Sequence, residues 1–153
     1  MKKRVVIFGD SNTWGYDAAT GGRFNEEIRW PMVAAKLLGS EYRILEEGLC
    51  GRTTCLDDPF NEGLSGLTYL LPCLQTHSPI DMLVIMLGTN DCKQRFSLTA
   101  ANIALGMRRL VKKALEAEVW RDKPNILVIA PGPILKECEL SDAVSYTHLT
   151  LPT

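Results

Sequence analysis

The sequence predicts an α/β fold, a three-layer sandwich in which helices cover both faces of a parallel sheet. Apolar runs of strand length recur at residues 5–8, 42–45, 82–87 and 126–129. Three of the four are continuous rather than alternating, the pattern of strands buried on both faces. Segments with helical patterning lie between the runs, and strands that alternate with helices of this size build parallel sheets.

The strands are expected near residues 4–9, 42–47, 82–87 and 125–130. Pro31 precedes an apolar segment at 32–38 and Gly39 follows it, which places proline in a first helical turn and glycine just past a helix end. A weaker helix is expected at 66–76. The clearest spans 99–119, where Ile103, Met107, Leu110, Val111, Ala114 and Leu115 line one face. Its Arg108, Arg109, Lys112, Lys113 and Glu116 fall elsewhere and read as a solvated face.

Composition narrows the function. The chain has 153 residues and is 46% hydrophobic, enough for one packed domain. Its 17 basic and 18 acidic side chains give a net charge of -1 without a basic patch, so nucleic acid is not an expected partner. The apolar run after the basic start is broken at Gly9-Asp10, too short for a signal-peptide core or a membrane span. A cytoplasmic protein is expected. The five cysteines include no C-x-x-C pair and suggest neither a zinc site nor a disulfide framework. They are expected to be reduced and mostly buried.

Ligands of an open parallel sheet bind beyond the carboxyl ends of its strands. The segments there, residues 9–15, 46–54, 88–91 and 130–133, are rich in glycine and small polar residues. Ester hydrolysis by serine needs a hydroxyl nucleophile, a base for its proton, and donors aimed at the developing oxyanion. Ser11, in a glycine-flanked turn after a buried strand, is the candidate nucleophile. Its own N–H, the N–H of Gly51 and the side-chain amide of Asn90 are candidate oxyanion donors from three loops. Gly51 suits the role because a missing side chain lets backbone approach a substrate. Each has a plainer alternative: Ser11 as a helix cap and Asn90-Asp91 as an ordinary turn.

In combination these segments resemble the SGNH, or GDSL-type, hydrolase superfamily. Its first block is similar to Gly9-Asp10-Ser11, its second-block glycine to Gly51, and its third block to Gly88-Thr89-Asn90-Asp91. The bacterial arylesterase and acyltransferase branch is the most similar, through residues 9–15, Arg29-Trp30, 46–49, 52–54 and 85–91. The resemblance runs from about residue 4 to residue 135. It implies a flavodoxin-like SGNH hydrolase fold, Ser11 as nucleophile, Gly51 and Asn90 in the oxyanion hole, a small ester as substrate, and no metal or organic cofactor. Cys50 stands where serine is usual. Oligomerisation of a full-length parent is left open.

The family's fourth block, Asp-x-x-His, supplies the base and its orienting carboxylate. Neither histidine fits it. His77 precedes the third strand and is expected at the amino ends of the strands, in a structural role. His148 has Ser145 where the aspartate should stand. Residues 144–153 resemble a translated sequencing-library adapter. The expectation is therefore a partial SGNH domain at 1–143, truncated at its C-terminus and inactive, followed by an adapter-derived tail. The alternative is a non-catalytic flavodoxin-like module binding a small molecule or phosphate at the first loop.

Overall fold

The computed structural model describes residues 1–132. The expectations that concern Pro133, Cys138, His148 and the 144–153 tail lie outside the described residues. Strands β1 (Lys3–Gly9), β2 (Tyr42–Gly48), β3 (Met82–Met86) and β4 (Ile126–Val128) form one sheet in the order β2-β1-β3-β4, every pair parallel. The registers Gly9↔Gly48 and Gly9↔Met86 align the carboxyl ends of the first three strands.

Helix α1 (Ser11–Trp14) is one turn, followed by α2 (Trp30–Leu38), α3 (Gly66–His77) and α4 (Ala100–Leu115). The alternating side chains of β1 divide between two cores. Val6 and Phe8 pack with Leu70, Leu74, Leu110 and Ala114 of α3 and α4, whereas Val5 and Ile7 face Trp30 of α2. The three layers expected from the sequence are present. Right-handed crossovers account for the arrangement: the chain moves from β1 to β2 under α2, then reverses to β3 and β4 under α3 and α4. The reversal opens between β1 and β3, the switch point where such sheets bind ligands.

The end of α4 differs from expectation for a tertiary reason. The amphipathic pattern extends to 119, but α4 ends at Leu115: the Trp120 indole N–H donates to the Ala114 carbonyl at 2.9 Å and turns the chain toward β4. One member of the cationic face is also not merely solvated, since Lys113 Nζ donates to Leu67 O at 2.8 Å and ties α4 to α3. The cysteines are less buried than expected. Cys73 and Cys92 are buried and Cys55 is half-buried, but Cys50 is exposed because it sits in the turn leaving β2.

The last residue of β2 is glycine for a packing reason. A Cβ on Gly48 would fall 2.3 Å from the Trp14 backbone nitrogen, where α1 folds back across the strand ends. Substituting Gly48→Ala should force the α1 backbone to shift and lower stability by about 1–3 kcal/mol, an overpacking cost. Urea unfolding of the two proteins measures it, and an unchanged midpoint would contradict the close approach.

Candidate active site at the carboxyl edge of the sheet

Asp10 is the N-cap of α1, accepting from Asn12 N at 2.9 Å and from Asn12 Nδ2 at 3.1 Å. The next residue, Ser11, is half-buried in the first position of the turn. Gly15 ends the turn in the left-handed region, φ 87°, and returns its N–H to Ser11 O. The turn is thus fixed at both ends by local sequence, and the serine side chain carries none of the capping. Among the described residues, the Ser11 hydroxyl and backbone N–H have no hydrogen-bond partner.

Gly51 lies in the turn after β2 with φ 86°, a conformation L side chains rarely adopt. A Cβ there would also approach Leu64 Cδ1 to 2.9 Å. Its N–H has no partner among the described residues. Asn90 is buried at the start of a 3-10 turn, Asn90–Cys92, that follows β3. Its Nδ2 donates to Arg52 O at 3.1 Å, which fixes the amide against the residue next to Gly51 and leaves the second N–H of that nitrogen free among the described residues.

The three loops are joined by named contacts. The Gly9 carbonyl accepts from Leu49 N at 3.1 Å and from Arg52 Nη1 at 3.1 Å, linking the ends of β1 and β2. Arg52 Nη1 also donates to Glu47 O. Asp91 accepts from Thr54 N at 3.0 Å and from Thr54 Oγ1 at 2.5 Å, linking the loops after β2 and β3. Asp58 and Arg95 pair at 2.6 Å between the same two loops. Below the segment that leads from α1 to α2, Arg29 forks onto Glu46 through Nε at 2.9 Å and Nη2 at 2.8 Å. The loops holding Ser11, Gly51 and Asn90 therefore meet at one edge.

Sequence reasoning missed Arg52 as the anchor of this edge. The Arg52-Thr53-Thr54 segment carried part of the resemblance, but nothing in it announced a buried cation. His77 is also placed differently in part. Its carbonyl accepts from Arg4 Nη1 near the amino ends, as expected, yet its imidazole Nε2 reaches back to the Glu47 carboxylate at 2.6 Å. Glu47 also accepts from Tyr69 OH at 3.3 Å and faces Cys73, whose thiol burial pushes up to about 12.

Burial raises the pKa of Asp10 and of Asp91 above the ordinary carboxylate value, in spite of the hydrogen bonds that favour their charged forms. Burial and the charge of Asp10 likewise raise that of Cys50, which keeps it a thiol rather than a nucleophilic thiolate.

The profile of the GDSL-like lipase/acylhydrolase family matches residues 7–148. The chain belongs to this family. Among solved structures it is similar to the native aryl esterase of M. smegmatis, with 42% identity over 90% of this chain and 70% of that one, and a TM-score of 0.82. It is also similar to a carbohydrate acetylesterase family member from Sinorhizobium meliloti, with 41% identity over 87% of this chain and 64% of that one, and a TM-score of 0.82. The SGNH-hydrolase family esterase AlinE4, at 21% identity and a TM-score of 0.60, shares the fold. No match is found among curated proteins. The chain thus spans about two thirds of the length of these esterases. No helix among the described residues is long and apolar enough to cross a membrane.

The raised pKa of Asp91 has a definite sign in stability. The folded protein holds this proton to higher pH than the unfolded chain, so the contribution is full below the ordinary value of 3.8 and is lost as pH rises through the folded value. Measured against an Asp91→Asn variant from about pH 4 to about pH 7, the native chain should lose relative stability as pH rises. Urea unfolding at each pH gives the difference. A constant difference, or one that grows in favour of the native chain, would contradict the raised value.

Proposed function

We propose that this chain is the nucleophile-bearing part of a serine ester hydrolase whose parent cleaves small or aryl esters through an acyl-Ser11 intermediate. The observation that carries the reading is the joining of three loops at the Gly9 and Arg52 carbonyls, which groups a serine hydroxyl without a structural task with unspent donors at Gly51 and Asn90. The similar structures, an aryl esterase and a carbohydrate acetylesterase, support ester chemistry of that size.

In this mechanism the Ser11 oxygen attacks the ester carbonyl carbon and gives up its proton to a base. The carbonyl oxygen becomes anionic and receives the N–H groups of Ser11 and Gly51 and the free N–H of the Asn90 amide. Collapse expels the alcohol, protonated by the same base, and water then releases the acid from Ser11. Asn90 is well suited because its amide is already fixed by the Arg52 carbonyl and needs no reorganisation as charge develops.

The base is the part the described residues do not supply. His77, the only histidine among them, is engaged with Glu47 on the α3 side of β2. Asp91 is saturated by Thr54. In the proposed reading the family's Asp-x-x-His block belongs to a native continuation of the open reading frame beyond about residue 142.

The 153-residue chain should then turn over p-nitrophenyl acetate only at trace level, because donors and binding alone leave roughly 1000- to 10000-fold acceleration over water in enzymes that lack a triad member. A chain extended with the native downstream sequence should be active and lose that activity on Ser11→Ala. Asn90→Ala in the extended chain should cost about 100- to 1000-fold in kcat. Robust turnover by the 153-residue chain that depends on Ser11 would overturn the account of the base. An extended chain whose activity ignores Ser11 would overturn the account of the nucleophile.

A further inference from the structure

Helix α3 carries Tyr69, Cys73 and His77 at intervals of four, so all three side chains follow one face of the helix. That face looks at β2. Glu47 pairs in register with Phe8, whose ring belongs to the core between the sheet and α3, and Phe8 stacks on Tyr69 with centroids 6.3 Å apart. The Glu47 side chain therefore enters the same layer as Cys73 and His77. The Cys73 sulfur, an imidazole nitrogen of His77 and a carboxylate oxygen of Glu47 all lie within 4.8 Å of one another.

We infer that Glu47, Cys73 and His77 form a binding site for one zinc-class divalent cation between β2 and α3. One thiolate, one imidazole and one carboxylate are the donor types that borderline cations such as zinc take, and three protein ligands leave a fourth position for water. Tetrahedral bonds of about 2.3 Å to sulfur and about 2.0–2.1 Å to nitrogen and oxygen place ligand atoms about 3.3–3.6 Å apart. The contact between His77 and Glu47, at 2.6 Å, must open by somewhat under an ångström, and a separation as wide as 4.8 Å must close by somewhat more than one.

Two further features fit a cation. Tyr69 OH donates to Glu47 Oε2, leaving Oε1 directed at the helix, which is how outer partners orient a ligating carboxylate. His77 also borders a surface hollow of about 180 Å³ lined by Arg4, Arg43, Leu45 and Thr76, so the imidazole side of the site opens to solvent. The arginines around it, Arg52 included, oppose a cation, and the two anionic ligands offset its double charge. Binding forms the sulfur–metal bond as the Cys73 proton passes to solvent, with no change in oxidation state.

Cobalt(II) titration of the metal-stripped chain tests this, because thiolate ligation gives a charge-transfer band in the near ultraviolet. The band should saturate at one equivalent and disappear when zinc is added. Cys73→Ser should abolish it, Glu47→Gln and His77→Gln should weaken binding by about tenfold or more, and Cys50→Ser and Cys138→Ser should retain it. Circular dichroism reports whether each variant is folded. If Cys73→Ser fails to fold, the half-exposed His77→Gln decides the matter: unchanged cobalt affinity overturns the site. So does absence of the band in the folded parent, its survival in folded Cys73→Ser, or its loss in either control variant.

Discussion

The carboxyl edge of the sheet depends on a cation buried without a carboxylate bonded to its guanidinium. Arg52 is 3% exposed, and its guanidinium lies 4.2 Å from the Phe8 ring centroid and 5.1 Å from that of Tyr69 while Nη1 donates to the carbonyls of Gly9 and Glu47. Burying a charge is costly unless its hydrogen bonds and charge are answered. Here two aromatic faces and two backbone carbonyls answer it in part, Nε having no hydrogen-bond partner among the described residues, and desolvation lowers the Arg52 pKa. The planar guanidinium packs over both rings while its Nη1 alone donates to the two carbonyls, so the stacking is what a lysine ammonium would not reproduce. The consequence is positional: the turn containing Gly51 is fastened to the end of the central strand from below.

A second constraint works from above. The turn of α1 lies so close over the strand ends that a Cβ on Gly9 would meet Thr13 Oγ1 at 2.0 Å and Met86 O at 3.0 Å. Thr13 is buried, so the helix cannot lift to make room without exposing it. Glycine at the end of β1 is what allows the chain to reverse within one residue and bring Ser11 to the mouth of the switch point. Asp10 then fixes the reversal as a cap. Strand register, glycine and cap together determine where the serine stands, and none of them requires the serine itself.

Much of this was legible because the signals are local. Continuous apolar runs mark strands buried on both faces, and the runs at 5–8, 42–45, 82–87 and 126–129 became β1 to β4, although β4 lies at the edge of the sheet with Leu127 and Val128 exposed among the described residues. The alternation that separates Val6 from Val5 into two cores follows from the two-residue period of any strand. Illegible were the features made by partners distant in sequence. The end of α4 is set by Trp120, and the edge anchor by Arg52, a residue type that ordinarily stays in solvent. The network of Glu47 with Tyr69, Cys73 and His77 joins a strand to a helix some 22 to 30 residues later, with only the four-residue spacing on α3 visible beforehand.

The carboxylates of the edge bear on the chemistry proposed for it. Asp10 and Asp91 are both buried near the serine turn, and a carboxylate there could in principle orient a base. Their geometry argues otherwise. Both oxygens of Asp91 are drawn to Thr54, and Asp10 holds Asn12 at the start of α1 through one oxygen, Oδ1. Each therefore acts on the shape of a loop: Asp91 holds the β3 loop against the β2 loop, and Asp10 holds the turn that carries Ser11. Asp91, with both oxygens on Thr54, is not free to hold an imidazole in register with the hydroxyl. The two requirements of the reaction are thereby separated along the chain. In the proposed reading, donors for the oxyanion come from the loops of the first three strands, which the contacts among Gly9, Arg52, Thr54, Asn90 and Asp91 hold together, while the proton acceptor comes from a segment outside those loops.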